Sequence, residues 1–217
     1  MNTFVHPAGT AALPGATYTA RRAGLWVFLG VITSLFMLFG AAYVMRMAMA
    51  DWQPLRYVPW QLWLSTALLV SACVAWEVAR RRAHQADGRR AGVAGCVLSV
   101  AFLGVQWWAW QAMIAMQYRV DGNPADSFFF MLTGLHGLHV IGGLLAAVLA
   151  GRALLRGGEA MGGLARYRLA GSIALCAQYW HYLLGLWLVL FALLFWVTPE
   201  FVQVVCEGVG LRPPQPR

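Results

Sequence analysis

The sequence predicts an all-α integral membrane bundle of five transmembrane helices, with the N-terminus cytoplasmic and the C-terminus periplasmic. Three observations predict it. The chain is 60% hydrophobic and only 11% charged, with a mean hydropathy of +0.62, whereas a soluble domain carries about 25% charged residues. Five apolar runs are long enough to cross a hydrocarbon core about 30 Å thick, which takes roughly 20 helical residues. The basic residues, all of them arginine, gather between those runs. Lipid offers the backbone no partners, so each run closes its own hydrogen bonds as a helix. The lengths and patterns do not suit barrel strands.

In chain order, residues 1–23 contain Pro7, Pro14 and several Gly and Thr, and lack the apolar core of a secretory signal. They read as a flexible cytoplasmic tail, and the run that follows is retained. The spans are 24–45, 60–79, 91–116, 128–151 and 169–197, which together form one transmembrane domain; 198–217 is a periplasmic tail. The first loop holds Arg46, Asp51 and Arg56, and the second is the stretch from Arg80-Arg81-Arg82 to Arg89-Arg90. The third is short, with Arg119, Asp121, Asn123, Pro124 and Asp126, and the fourth carries Arg152, Arg156, Glu159, Arg166 and Arg168. Eleven arginines fall on the side of the N-terminus and loops two and four, and five on the other, which sets the orientation. Trp26, Trp52, Trp60, Trp63, Trp76 and Trp196 stand near the span ends, where an amphipathic ring is favoured.

The net charge of +8 is explained by this topology, which leaves no basic-aromatic surface for nucleic acid. Cys73, Cys96, Cys176 and Cys206 include no CxxC pair, so the zinc, redox and disulfide signatures are absent. They read as small apolar residues. No internal repeat of the kind seen in inverted-repeat transporters is visible.

Ionisable residues inside a span are functional candidates, and here they are few. Glu77, near the cytoplasmic end of the second span, has Arg80 and Arg81 at i+3 and i+4. An interfacial ion pair is favoured there over a proton-relay carboxylate. Arg80, Arg81 and Arg82 are candidate contacts for anionic lipid head groups. His136 and His139 lie in the fourth span and His181 in the fifth. His139 and His181 each stand twelve residues from a span end, about 18 Å deep at 1.5 Å per residue, so they can meet if the two helices pack. Helix-to-helix hydrogen bonding is favoured for these rings over lipid or water contact and over metal or heme ligation. Gly134, Gly137, Gly142, Gly143, Ala146 and Ala147 mark a face for close helix approach.

The segment from Phe129 to Gly143, FFMLTGLHGLHVIGG, resembles the FF-x-x-TG-x-HGLHV-x-x-G signature of cytochrome oxidase subunit III. Tyr179-Trp180-His181-Tyr182, followed by Trp187-Leu188, is similar to that family's YWHF and VWL elements. Leu64 to Ser71, containing Thr66, resembles its LNT-x-x-LL-x-S, and Phe102 to Gln106 resembles its LG-x-x-F-x-x-Q pattern. The matches run in family order over roughly residues 60–197, and the chain resembles the five-helix bacterial form. It departs from the family in two places. No acid lies between Gly30 and Phe39, where longer members carry a membrane carboxylate. Leu183-Leu184-Gly185 stands where members often place an Asp.

The resemblance implies a non-catalytic subunit of an aerobic heme-copper terminal oxidase in the bacterial inner membrane. It implies that heme and copper reside in partner subunits, and that this chain packs on subunit I, within a complex with subunit II and small subunits. It also implies bound structural phospholipid and support of proton uptake and of stability during oxygen reduction. Two other readings stand beside it: an accessory subunit of a nitric oxide reductase system, and a small proton or metal transporter built on the three histidines.

Overall fold

A computed structural model describes residues 14–49, 51–55, 58–83, 86–118, 122–157, 163–199, 201, 202 and 204. Residues 1–13 of the predicted N-terminal tail and most of the C-terminal tail lie outside the described residues. So do Arg56, Arg119, Asp121, Glu159, Cys206 and the side chains of Arg152, Arg156, Arg166 and Arg168. Five long helices follow one another: α1 (Pro14–Arg46), α2 (Trp60–Arg81), α3 (Ala86–Ala115), α4 (Pro124–Gly157) and α5 (Gly163–Phe195). Each contains a stretch long and apolar enough to cross a membrane, and the described residues contain no strand.

Most of the helices outrun the apolar runs that reveal them. α1 begins ten residues before Gly24, α3 five before Ala91, and α4 extends past Gly151 to Gly157. Hydropathy reports the thickness of lipid to be crossed, whereas backbone hydrogen bonding continues into the polar flanks. Local chemistry sets the ends. Pro14 opens α1 and Pro124 opens α4, positions where a missing N–H costs nothing and φ is already suitable. Pro59, with φ −64° and ψ 135°, precedes α2 in extended geometry. α3 closes through Gln117 at φ 68°, with Tyr118 N–H donating to Met113 O at 3.1 Å and Gln117 N–H to Ile114 O at 3.0 Å. These two bonds form a Schellman closure.

α5 is the hub, packing against α1, α2 and α4; α2 and α3 form a close antiparallel pair, and α4 also meets α1 and α3. Aromatic rings fill the centre. Trp76 stacks on Trp180 at 6.0 Å and 8°, and Phe102 meets Trp187 edge-on at 5.5 Å. Trp76 is only 5% exposed, so it belongs to the core and is not one of the predicted interfacial rings. Trp26, Trp60, Trp63 and Trp196 do face outward. Among apolar helices in lipid the attraction comes from dispersion contacts and interhelical hydrogen bonds, and rings of this size supply many contacts each.

The glycines of α4 serve two neighbours. A Cβ on Gly134 would lie 3.2 Å from Trp110 of α3, whereas one on Gly143 would lie 2.5 Å from Tyr179 of α5. One helix thereby approaches α3 through one end of its glycine series and α5 through the other.

Candidate functional site

The signature residues tie helix to helix through the middle of the bundle. Thr66, on α2, donates to its own Leu62 carbonyl at 2.8 Å and accepts the indole N–H of Trp187, on α5, at 2.9 Å. Two turns further along the same contact, Cys73 Sγ donates to the Trp180 carbonyl at 3.1 Å. Tyr179 of α5 donates its hydroxyl to the His139 carbonyl of α4 at 2.9 Å. The Tyr182 and Thr33 hydroxyls share a 2.9 Å bond between α5 and α1. On the other side, Trp110 Nε1 of α3 donates to Thr133 Oγ1 of α4 at 3.1 Å. Each bond satisfies a polar atom that lipid would leave bare.

The three histidines do not converge. His136 is 0% exposed, with its ring 5.2 Å from Trp187 and 5.9 Å from Phe102. Neither ring nitrogen has a hydrogen-bond partner among the described residues. His139, half-buried, turns toward α1, with its ring 5.6 Å from Phe36 and Nδ1–H donating to Leu135 O at 2.7 Å. His181 is exposed on α5, and its Nδ1–H donates to Ala177 O at 2.6 Å. A three-residue step turns a helix by about 300°, which is enough to send neighbouring rings to different partners in a bundle. The predicted meeting of His139 and His181 is therefore absent, although their helices do pack. No group of three or more His, Cys, Asp or Glu among the described residues could hold a metal ion. Among the described residues none of the three rings bonds a neighbouring helix through its nitrogens, and the interhelical hydrogen bonds favoured for them are made by Tyr179, Thr66 and the indoles.

Gln106 is 4% exposed, and its amide has no partner among the described residues. It lines a 270 Å³ notch between α3 and α4. A larger groove of about 380 Å³ runs between α1, α4 and α5, walled by Phe28, His139, Gly142, Tyr179 and Trp180. Its surface is almost wholly apolar.

At the arginine-rich end, Glu77 accepts from Arg80 Nε at 2.8 Å and from Arg81 Nε at 2.7 Å, and Arg82 pairs with Asp87 at 3.4 Å. Arg81 stays 71% exposed while paired. At the opposite end Arg46 clasps Asp51 through both carboxylate oxygens, at 2.7 and 2.5 Å. These bonds hold the Asp51 carboxyl below its ordinary range.

Sequence reasoning missed Thr33 and Asn123. Thr33 carries no signal of its own, because its partner Tyr182 is 149 positions away. Asn123 does carry one, standing immediately before Pro124 at a helix start. Its Oδ1 accepts from Ala125 N–H at 3.3 Å, and it also pins Gln53 of the first loop.

The fold and its central network define a multi-pass membrane protein whose polar residues join its helices. The family model for cytochrome c oxidase subunit III matches residues 22–198, and the chain belongs to that heme-copper oxidase subunit III family. It is 30% identical over 145 residues to cytochrome c oxidase subunit 3 of Arabidopsis thaliana, covering 64% of this chain and 50% of the relative. It is 28% identical over 181 residues to cytochrome bo(3) ubiquinol oxidase subunit 3 of Pseudomonas aeruginosa, covering 79% and 82%. With cytochrome c oxidase subunit 3 of Thermostichus vulcanus it shares 26% identity over 192 residues, covering 82% and 88%. The chain spans about half the length of the curated plant relatives it matches.

Proposed function

We propose that this chain is the non-catalytic subunit III of a respiratory heme-copper terminal oxidase in a bacterial inner membrane, with its N-terminus in the cytoplasm. It packs on the catalytic subunit I, whose heme and copper carry out oxygen reduction. It holds structural phospholipid and sustains proton uptake and the stability of the complex during turnover. The observation that carries the reading is the family match over residues 22–198. The fate of the signature residues supports it, because Thr66, Tyr179 and Trp187 are spent on helix-to-helix bonds and the histidines point in three directions. The apolar groove between α1, α4 and α5 suits an acyl chain. Exposed Arg80, Arg81 and Arg82 supply positive charge for a head group at the arginine-rich end.

The test is to purify the tagged chain from native membranes in mild detergent and read the absorption spectrum and the co-purifying chains. The expected result is a heme-copper subunit I that brings the heme with it. A coloured chain recovered alone would make a histidine a ligand and overturn the reading. A colourless chain recovered alone from membranes containing active oxidase would also overturn it.

A further inference from the structure

His181 stands twelve residues from Leu169 and fourteen from Phe195, at the middle of its span. Yet its ring faces out of the bundle. The arcs of α5 on either side are taken. Trp180 and Trp187 face α2, Tyr179 bonds α4 and Tyr182 bonds α1. The remaining arc carries His181, Gly185 and Leu188, all exposed. The tautomer of the ring follows from its one bond. A carbonyl oxygen only accepts, so the 2.6 Å contact with Ala177 O puts the proton on Nδ1. In the neutral ring Nε2 is then an acceptor, without a partner among the described residues, directed to where a bilayer offers only hydrocarbon. Leaving such a group bare in lipid is costly, and an acyl chain has no donor to give it. One turn further along, nothing lies within 4 Å of a Cβ built on Gly185, so a neighbouring backbone can come close there.

We propose that this arc of α5 is the docking surface for a transmembrane helix of another subunit, which brings a hydrogen-bond donor to His181 Nε2 at mid-membrane depth and packs over Gly185. The inference rests on the reading of the chain as an oxidase subunit, and it adds the face and the chemistry of the contact. The complex supplies the test. A photo-reactive phenylalanine is placed at Leu188, with parallel sites at Val97 on α3 and Leu149 on α4, both outward-facing, and native membranes holding the full chain are irradiated. The Leu188 site is expected to give an adduct with a second polypeptide. His181→Phe should reduce that adduct roughly three- to tenfold at an unchanged level of membrane-inserted chain, and His181→Gln, which keeps an acceptor, should retain most of it. Gly185→Leu, which fills the approach without touching the ring, should reduce it as well. Adducts from Val97 or Leu149 but none from Leu188 would keep the subunit reading and overturn the docking face. An adduct indifferent to both His181→Phe and Gly185→Leu would overturn the contact. No adduct at any site, together with no co-purifying chain, would sink the subunit reading and this inference with it.

Discussion

Thr66 and His136 lie a few ångströms from the same indole, that of Trp187, and have opposite energetic standing. Thr66 accepts the indole hydrogen at 2.9 Å. Thr66→Val keeps the volume and strands that donor, which costs about 1–3 kcal/mol. Thermal unfolding in detergent should show a lower Tm, and an unchanged Tm would mean the indole finds another acceptor. His136 bonds nothing among the described residues and sits wholly inside the core. His136→Leu therefore removes two buried polar atoms without breaking a protein hydrogen bond, and the expected Tm is equal or higher; a clear fall would reveal a bonded partner. Gly143→Ala should be damaging, because the added methyl would lie 2.5 Å from the Tyr179 ring. Moving that ring also breaks the Tyr179 bond to the His139 carbonyl. A loss of about 1–3 kcal/mol is expected for overpacking of this kind, read by the same unfolding assay.

At the scale of the helices, ends and loops are fixed by few groups. Asn123 caps α4 through Ala125 N–H and bonds both the N–H and the carbonyl of Gln53. Asn123→Ala should therefore loosen two segments at once and cost about 1–2 kcal/mol, with faster proteolysis of the first loop as a second readout. Gln117 holds φ 68° at the end of α3, where a side chain costs roughly 1 kcal/mol relative to glycine. Gln117→Gly should raise the Tm, since the Schellman bonds do not involve the side chain. The Arg46–Asp51 clasp ties the end of α1 to the first loop. Asp51 has a lowered folded pKa, so its contribution is complete above the ordinary carboxylate pKa of about 3.9. That contribution is lost as pH falls through the lower folded value. An Asp51→Asn chain should lack that acid-side dependence.

The molecule as a whole is unevenly buried. In the most apolar window of α1 only 17% of residues are buried, against 39% in α2 and in α5. Hydrogen exchange on the detergent-solubilised chain should accordingly open α1 first, and α2 and α5 last, because local opening follows the density of buried contacts. Assembly with partner subunits should slow exchange most on the faces that become covered.

How much of this was legible in the sequence differs by scale. Five helices could be counted because lipid imposes one length and one composition on anything that crosses it, and Arg spacing marked the polar loops. Glu77 with Arg80 and Arg81 was legible too, since i+3 and i+4 neighbours on a helix meet whatever the fold. The helix ends were less so, because α1 and α3 continue as helix through polar residues that hydropathy treats as loop. Run length, arginine placement and the ordered signatures are enough to read the chain as a five-span bundle of the subunit III kind. What the signature residues touch emerges from helix packing. Whether His136, His139 and His181 share a site depends on how α1, α4 and α5 are rotated against one another. Thr66 and Trp187 are partners across 121 positions of chain. Such long-range pairings are set by the packing of whole helix faces, and residue spacing carries no record of them.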